Sequence, residues 1–370
     1  MLANVVTICR TMSRLKLGVV GVGALGRHHA RILASFPDVE LVAVAEPNEA
    51  QGRSVAEACH CEWVADYQSL LPRVEAVSIV VPTFLHRKVA VDFLQRGIPV
   101  LVEKPIASTL DDGQAILTTA TTHSAPVQVG HIERFNPAFR ALASQVSAPK
   151  YIRAERFSNY AFRSMDIGVV HDLMIHDIEL TQHLVQSDFV SVEAFGVSLV
   201  GGHEDAVQAR VRFANGCIAD LSANRVCPTA TRSMQVWSAR GCVTADLHNR
   251  TVTSFGAAPA LLSGQLPYDL GRQKGADINQ LKSEMFTRFI ATETVTIEPA
   301  DALTLELRSF LDAVRDGTQP EVDGMAGLRA IELADAILKS VAAHRWDGAG
   351  SDLMGPNALL SPWIEKKDAA

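Results

Sequence analysis

The sequence predicts an α/β protein, in which a doubly wound parallel sheet is followed by a second α/β domain with a large, mostly antiparallel, open-faced sheet. Two patterns lead to this prediction. In the first third of the chain, short apolar runs are each followed by a segment of helix length, which is typical of parallel strands covered on both faces. Farther along, longer runs alternate polar and apolar residues, which is typical of strands with one open face. The length of 370 residues suits two domains.

The candidate strands of the parallel sheet are five apolar runs rich in β-branched residues. They occupy residues 17–20, 41–45, 76–81, 100–102 and 127–129. Each is separated from the next by enough residues for a helix, so consecutive strands can run in the same direction. This is the spacing of a series of βαβ units.

The second sheet is indicated by the alternating run 208–213, which is followed by Asn215 and Gly216. An Asn-Gly pair after such a run is a strong signal for a β-hairpin. Closer to the C-terminus, residues 303–315 and 327–343 carry apolar residues at helical spacing, and Gly317 closes the first of these helices. We expect both helices to pack back on the core.

Composition excludes several classes of function. The chain is 48% hydrophobic and 20% charged, as in ordinary globular enzymes, and its net charge of −7 offers no basic surface for nucleic acid. The six cysteines form no CxxC pair, and the run Cys59-His60-Cys61 lacks a second pair of ligands. We therefore expect a soluble, cytoplasmic protein with reduced thiols, no bound metal and no membrane segment.

A glycine-rich turn follows the first candidate strand and opens a helix. Its residues are Gly21, Gly23, Ala24, Leu25 and Gly26, with Val22 completing the pattern GxGxxG. In this position the first glycine permits a tight turn, the second lets the backbone approach a pyrophosphate, and the third permits close packing of helix and strand. The phosphates would then lie at the N-terminus of a helix. The pattern predicts a Rossmann domain that binds a dinucleotide.

Glu46 ends the second apolar run, twenty residues beyond Gly26. A carboxylate in this position accepts hydrogen bonds from both ribose hydroxyls and repels a 2′-phosphate, so NAD is predicted in preference to NADP. The alternative is a surface glutamate at the end of a strand.

The run Glu103-Lys104-Pro105, again at the end of a strand, resembles the Glu-Lys-Pro motif of the Gfo/Idh/MocA family of dehydrogenases. The likeness extends over residues 16–343 and includes residues 168–177. It implies the same two-domain fold and an NAD cofactor. Besides the glycine turn and Glu46, it implies cofactor contacts from Pro82, Thr83, His86, Glu103 and Lys104.

By this resemblance, Lys104 lies beside the nicotinamide and the reacting carbinol. The positive ring of oxidised NAD favours the neutral form of a neighbouring lysine, which can then take a proton from the hydroxyl group. The alternative is a surface lysine at a strand end.

Asp172 and His176 are four residues apart, so a helix would place both on one face. The carboxylate can orient the imidazole as a general base, and the matching pair in related dehydrogenases contacts the sugar. The alternative is a capping aspartate beside a core histidine. Residues 166–170 stand where the common family pattern has a glycine-rich triplet, and they differ from it. The resemblance therefore leaves the identity of the substrate open.

Residues 130–137, 166–172 and 222–226 resemble one branch of the family, the UDP-N-acetylglucosamine 3-dehydrogenases. This implies oxidation of the C3 hydroxyl of a nucleotide-linked amino sugar, with the keto product passing to an aminotransferase for lipid A or surface polysaccharide. The side chains expected to bind the sugar or its diphosphate, besides Asp172 and His176, are Arg134, Asn136, Arg163 and Arg225.

Two other functions stay open: a dehydrogenase of a free sugar or polyol, and a non-catalytic NAD-binding regulator. The presence of Lys104, Asp172 and His176 favours an enzyme. The open sheet predicts a homodimer or a homotetramer.

The predicted division assigns residues 14–135 to the NAD-binding domain, 136–345 to the substrate-binding and dimerisation domain, and 346–370 to a C-terminal tail. Because the run from Met12 to Lys16 leads directly into the first predicted strand, Met12 is an alternative start to Met1. Residues 1–13 would then be a disordered extension.

Overall fold

A computed structural model describes residues 14–162, 167–200 and 203–344. The predicted extension 1–13 and the tail 346–370 lie outside these ranges. No helix within them is long and apolar enough to cross a membrane.

The chain divides into two compact units. The first contains the residues up to Gly130 together with the later segment Leu303–Leu328. The second contains His131–Ala302 and the residues from Arg329 onward. The sequence-based division placed the whole of 136–345 in one domain. The structure instead groups Leu303–Leu328 with the first unit, where the Val129 N–H donates to the Val322 carbonyl oxygen at 2.9 Å.

The strands of the described chain are numbered β1 to β14. They are β1 Leu15–Val20, β2 Val39–Ala45, β3 Glu62–Val64, β4 Ala76–Ile79, β5 Val100–Glu103, β6 Val127–Gly130, β7 Tyr151–Phe157, β8 Phe189–Val197, β9 Ala206–Phe213, β10 Ile218–Asn224, β11 Thr231–Ser238, β12 Gly241–Asp246, β13 Thr251–Ala257 and β14 Ile290–Val295.

The α-helices of the same ranges are numbered α1 to α11. They are α1 Gly26–Ser35, α2 Glu49–Cys59, α3 His86–Leu94, α4 Leu110–Thr122, α5 Pro137–Gln145, α6 Ile175–Val185, α7 Pro259–Leu262, α8 Pro267–Gly271, α9 Ile278–Ser283, α10 Ala302–Asp316 and α11 Gly324–Ala343.

The first unit contains a six-stranded sheet in the order β3-β2-β1-β4-β5-β6, with every pair parallel. The five predicted strands are confirmed. The additional strand β3 is only three residues long and none of its side chains is buried, so it lacks the apolar run by which the others were found. The chain order reverses between β1 and β4, and such a reversal is where open parallel sheets bind ligands.

The second unit contains an eight-stranded sheet in the order β14-β13-β12-β11-β7-β10-β9-β8. Only β7 and β10 pair in parallel among its described strands. The predicted hairpin is confirmed, since β9 and β10 are antiparallel neighbours and Gly216 has a φ of +86° in the turn between them. The predicted fold class is therefore correct for both sheets.

One face of this second sheet covers the core of its unit, and the other, here called the polar face, is mostly polar. In β9, Val207 and Val211 are buried, whereas Gln208 and Arg210 point away from the core. On the polar face, the Arg210 guanidinium donates to Asp220 at 2.7 Å. This alternation is the open face that the sequence predicts.

Candidate active site

The glycine turn between β1 and α1 has the geometry that its sequence predicts. Gly21 has a φ of +84°, and a Cβ atom there would lie 2.5 Å from the Val80 carbonyl oxygen. A Cβ at Gly26 would collide with the Gly21 carbonyl oxygen. A Cβ at Gly23, in contrast, would meet no atom of the described chain within 4 Å. The turn is thus closed on its protein side and open at Gly23, which fits the approach of a pyrophosphate to the backbone.

Ala24 and Leu25 are exposed and lead from this open turn into the first turn of α1. The free N–H groups of a helix N-terminus favour a bound anion. The glycine turn therefore supplies a place for the phosphates of a dinucleotide, while direct contacts from Ala24 and Leu25 stay predictions.

Glu46 connects the end of β2 to the same turn. Its carboxylate accepts hydrogen bonds from the Val22 N–H at 3.0 Å and from the Asn48 N–H at 3.1 Å. The side chain is half-buried beside the glycine turn, and Gln51 Nε2 donates to its Oε2 at 3.5 Å. The predicted contact with a ribose is compatible with this position.

Pro82, Thr83 and His86 follow β4. Pro82 is exposed and Thr83 is half-buried at the start of a short 3₁₀ helix, Thr83–Leu85. His86 is only 1% exposed, and its two ring nitrogens lie 2.9 Å from the carbonyl oxygens of Val81 and Pro105. Burial lowers the pKa of His86. His86 therefore joins the segments that follow β4 and β5, and its predicted contact with the cofactor stays a prediction.

Glu103 and Lys104 lie at the end of β5. Lys104 is half-buried, and its backbone N–H donates to Glu103 Oε2 at 3.2 Å. The peptide bond from Lys104 to Pro105 is cis. The glycine turn, Glu46, Thr83 and Lys104 thus follow four strands of one parallel sheet at their carboxyl ends, where such sheets bind ligands.

In the second unit, Asp172 and His176 are both half-buried. They were predicted on one regular helix. Asp172 instead lies in a wide π-helical turn, Val170–Met174, and His176 lies in the first turn of α6. The His131 ring packs edge-on against His176, with ring centroids 6.5 Å apart. The sequence did not single out His131, although its position within the 130–137 run was a signal.

The predicted substrate-binding residues have intramolecular partners. Arg134 forms a buried ion pair with Glu179. Arg225 donates to Asp205 at 2.8 Å and to the Ile167 carbonyl oxygen at 2.6 Å.

Asn136, also predicted to bind substrate, begins α5. Its side-chain oxygen accepts from the Ala138 N–H at 3.0 Å, and its amide donates to the Leu247 carbonyl oxygen at 3.0 Å. Arg163 lies outside the described residues. Substrate binding by these four residues stays a prediction.

A buried ionic network in the second unit was not predicted. Arg156 donates to Glu133 at 2.8 Å and to both carboxylate oxygens of Asp177, at 2.8 and 3.0 Å. Burial by itself raises the pKa of Glu133, but the charge and hydrogen bond of Arg156 bring that pKa below its usual value. The alternation of side chains along β7 could have indicated this network, because it places Arg156 on the same inward face as Ile152 and Ala154.

Comparison with known proteins agrees with this arrangement. Residues 15–131 match a family model described as the Gfo/Idh/MocA oxidoreductase family with an NAD-binding Rossmann fold, and residues 138–244 match the C-terminal domain of the same family. A UDP-N-acetylglucosamine 3-dehydrogenase of Acidithiobacillus ferrooxidans is 32% identical over 333 residues, which cover 90% of this chain and 99% of that protein. Its solved structure covers 89% of this chain and 98% of its own, with 31% identity and a TM-score of 0.78.

An inositol 2-dehydrogenase of Rhizobium meliloti is 25% identical over 350 residues, which cover 90% of this chain and 98% of that protein. The similarity thus extends through both units and includes dehydrogenases of two substrate classes. The expected family, fold class and cofactor are confirmed. The chain belongs to the Gfo/Idh/MocA family and is an oxidoreductase with an NAD-binding Rossmann domain.

Proposed function

We propose that the protein is an NAD-dependent dehydrogenase that oxidises the C3 hydroxyl of a nucleotide-linked amino sugar, UDP-N-acetylglucosamine, to the 3-keto sugar. The observation that carries this proposal is the 32% identity to a UDP-N-acetylglucosamine 3-dehydrogenase along 99% of that protein. The inositol 2-dehydrogenase matches at 25% over a similar length.

The cofactor would be held by the glycine turn and by Glu46, with Thr83 and Lys104 at neighbouring strand ends. When bound, NAD supplies an acceptor for the hydride that leaves the carbinol carbon. Oxidation of a secondary alcohol also releases the hydroxyl proton, so the protein must supply a base.

We assign the proton to His176 or Lys104. Asp172 is the group that would orient His176 and stabilise its charged form. His131 packs against the same imidazole edge-on and restricts its rotation. The backbone N–H of Lys104 donates to the Glu103 carboxylate, and this hydrogen bond fixes the backbone from which the Lys104 side chain extends. These roles follow from the chemistry of the residues and from the family resemblance.

A free sugar or polyol is the second candidate substrate, and one observation favours it. Arg134 and Arg225, the described arginines expected to bind a diphosphate, are at most 6% exposed and already bonded to carboxylates. A polyol needs no diphosphate site.

The deciding experiment is an assay of NADH formation with UDP-N-acetylglucosamine, free N-acetylglucosamine and myo-inositol, each with and without 2-oxoglutarate to reoxidise NADH. The proposal expects a 3-keto product from UDP-N-acetylglucosamine, detected by mass spectrometry. Turnover of myo-inositol alone would replace it by the second candidate. Binding of NAD without turnover of any of the three would point to the regulator.

We also propose that the polar face of the second sheet joins copies of the chain into a homodimer or homotetramer. Phe195 and Trp237, each 41% exposed, are large apolar side chains on strands of that sheet. The keto product would be consumed by an aminotransferase. A cytoplasmic location stays a prediction.

A further inference from the structure

A cluster of three titratable side chains is buried in the first unit, and one of them, Glu103, accepts a hydrogen bond from the Lys104 N–H. It consists of His29 of α1, Glu103 of β5 and Glu306 of α10, which each place one nitrogen or oxygen atom within 4.8 Å of the others. His29 and Glu306 are 0% exposed and Glu103 is 8% exposed. The role assigned to Lys104 uses Glu103 alone, so His29 and Glu306 have no part in the chemistry proposed so far.

Glu306 is the exceptional member of this cluster. Neither of its carboxylate oxygens has a hydrogen-bond partner among the described residues. An isolated carboxylate in a dry interior is so costly that such a group takes up a proton instead. Burial, followed by the negative charge of Glu103, raises the pKa of Glu306 well above its usual value.

Glu103 is held from several sides. Its Oε1 atom lies 3.2 Å from His29 Nε2, and its Oε2 atom accepts from the Lys104 N–H at 3.2 Å. Its carboxylate also packs so closely on Gly130 that a Cβ there would lie 2.6 Å from Oε1. Glu103 is thus fixed against the backbone that carries Lys104.

The other titratable groups near the cluster belong to different elements. His29 faces Glu103 from α1, and its Nδ1 atom lies 2.9 Å from Ser78 Oγ of β4. The charge of Glu103 acts to raise the pKa of His86 of α3, against the larger opposing effect of burial. Two ionised carboxylates at Glu103 and Glu306 would lie close together in a region of low dielectric constant, where like charges repel strongly.

We propose that Glu306 is a positioning residue that holds a proton at working pH and thereby leaves Glu103 as the one ionised carboxylate of this three-residue cluster, hydrogen-bonded to the Lys104 N–H. This inference rests on the proposed function, in which Lys104 acts on the substrate. At alkaline pH the proton of Glu306 passes to a base in solution. The less buried Glu103 then turns away from the new charge and releases the Lys104 N–H.

The first test needs no activity. The unfolding equilibrium constant of the cofactor-free protein is measured by urea denaturation from about pH 6 to about pH 9 for the wild type, Glu306→Gln and Glu57→Gln. Native Glu306 keeps a proton that unfolded Glu306 has lost, so the wild type becomes less stable as the pH rises toward the raised pKa. Glutamine copies the neutral acid and removes this dependence.

The ratio of the unfolding constants of wild type and Glu306→Gln should therefore grow by up to about tenfold per pH unit. Glu57 is exposed on the same unit, so the profile of Glu57→Gln should stay parallel to that of the wild type. A parallel profile for Glu306→Gln would overturn the proposal. So would a stoichiometric metal ion, found by elemental analysis in the wild type and lost in Glu306→Gln, because metal ligation needs the ionised carboxylate.

The second test measures kcat against pH with the substrate that the wild type turns over. Glu306→Gln should keep kcat near neutral pH and shift its alkaline decline to higher pH, whereas Glu306→Ala should lower kcat with little change in KM. Identical alkaline limbs in the wild type and Glu306→Gln would refute the positioning role. If the wild type oxidises none of the sugars, the proposed function fails, and the stability test still decides the protonation of Glu306.

Discussion

Two sets of polar side chains, one from each unit, are placed in opposite ways. In the first unit, Glu46 and Lys104 follow strands and leave part of each side chain accessible. In the second, Glu133, Arg156 and Asp177 lie inside the fold and satisfy one another. Polar groups at strand ends are thus available for a ligand, whereas polar groups within packed elements hold the unit together. The contrast predicts activity effects from the first set and stability effects from the second.

The largest effect is expected at Lys104. Lys104→Ala should lower kcat by about 100- to 10,000-fold, the contribution typical of a positioned acid–base group. NAD affinity, measured by fluorescence titration, should fall by a much smaller factor than kcat, because the glycine turn and Glu46 also hold the cofactor. Lys88→Ala removes an exposed lysine from α3 of the same unit and should leave kcat unaltered. Equal losses in both variants would remove the distinction between Lys104 and a surface lysine.

Substitutions in the buried ionic network should lower the free energy of unfolding. Arg156→Met leaves Asp177 buried without its ion-pair partner and Glu133 with only the longer ion pair to Arg232 at 3.5 Å, which costs about 3–5 kcal/mol of the free energy of unfolding. Arg210→Met breaks an ion pair whose arginine side chain is 52% exposed and screened by solvent, so it should cost much less. Urea denaturation of the two variants measures the difference. Similar costs would mean that burial does not distinguish the two pairs.

Substitutions at two glycines of the same turn should have different effects, one on NAD binding and the other on the stability of the fold. Gly23→Ala fills open space, so it should weaken NAD binding by roughly tenfold, or about 1.4 kcal/mol, without altering the melting temperature of the cofactor-free protein. Gly26→Ala collides with backbone and should lower that melting temperature, at a cost of about 1–3 kcal/mol. Titration with NAD and thermal denaturation decide the matter. A lowered melting temperature for Gly23→Ala would contradict the open site.

The smallest effect is expected at Asp38, where Arg308 and Arg315 of α10 both donate to the carboxylate. Hydrogen bonding by Arg308 holds the pKa of Asp38 well below its usual value. Because the side chain is 35% exposed, Asp38→Asn should cost only about 0–1 kcal/mol. The cost should be constant above about pH 5 and vanish as acid protonates the wild-type carboxylate, because the unfolded group titrates near 3.9. Urea denaturation against pH measures it, and a cost that grows in acid would contradict the assignment.

The parallel strands and the glycine turn could be predicted because each depends on local sequence: an apolar run, a GxGxxG pattern, an acid at the right distance. The partners of Arg134 and Arg225 could not, since Glu179 and Asp205 are distant in sequence and are brought close only by the fold. Likewise, Glu306 appears in the sequence as one polar residue of an amphipathic helix. Its burial depends on the return of that helix to the first unit.

That return has a consequence for the synthesis of the protein. When Gly130 has just been made, the segment that contains Val322 does not yet exist. The Val129 N–H of β6 therefore lacks the carbonyl oxygen to which it donates, and the interior of the first unit lacks Glu306. The larger part of the second unit, His131–Ala302, is translated before residues 303–328 emerge. N-terminal domains usually finish folding early in synthesis, but this first unit is completed only shortly before the residues from Arg329 onward complete the second. A nascent chain stalled before residue 303 would expose an incomplete Rossmann domain to chaperones and proteases.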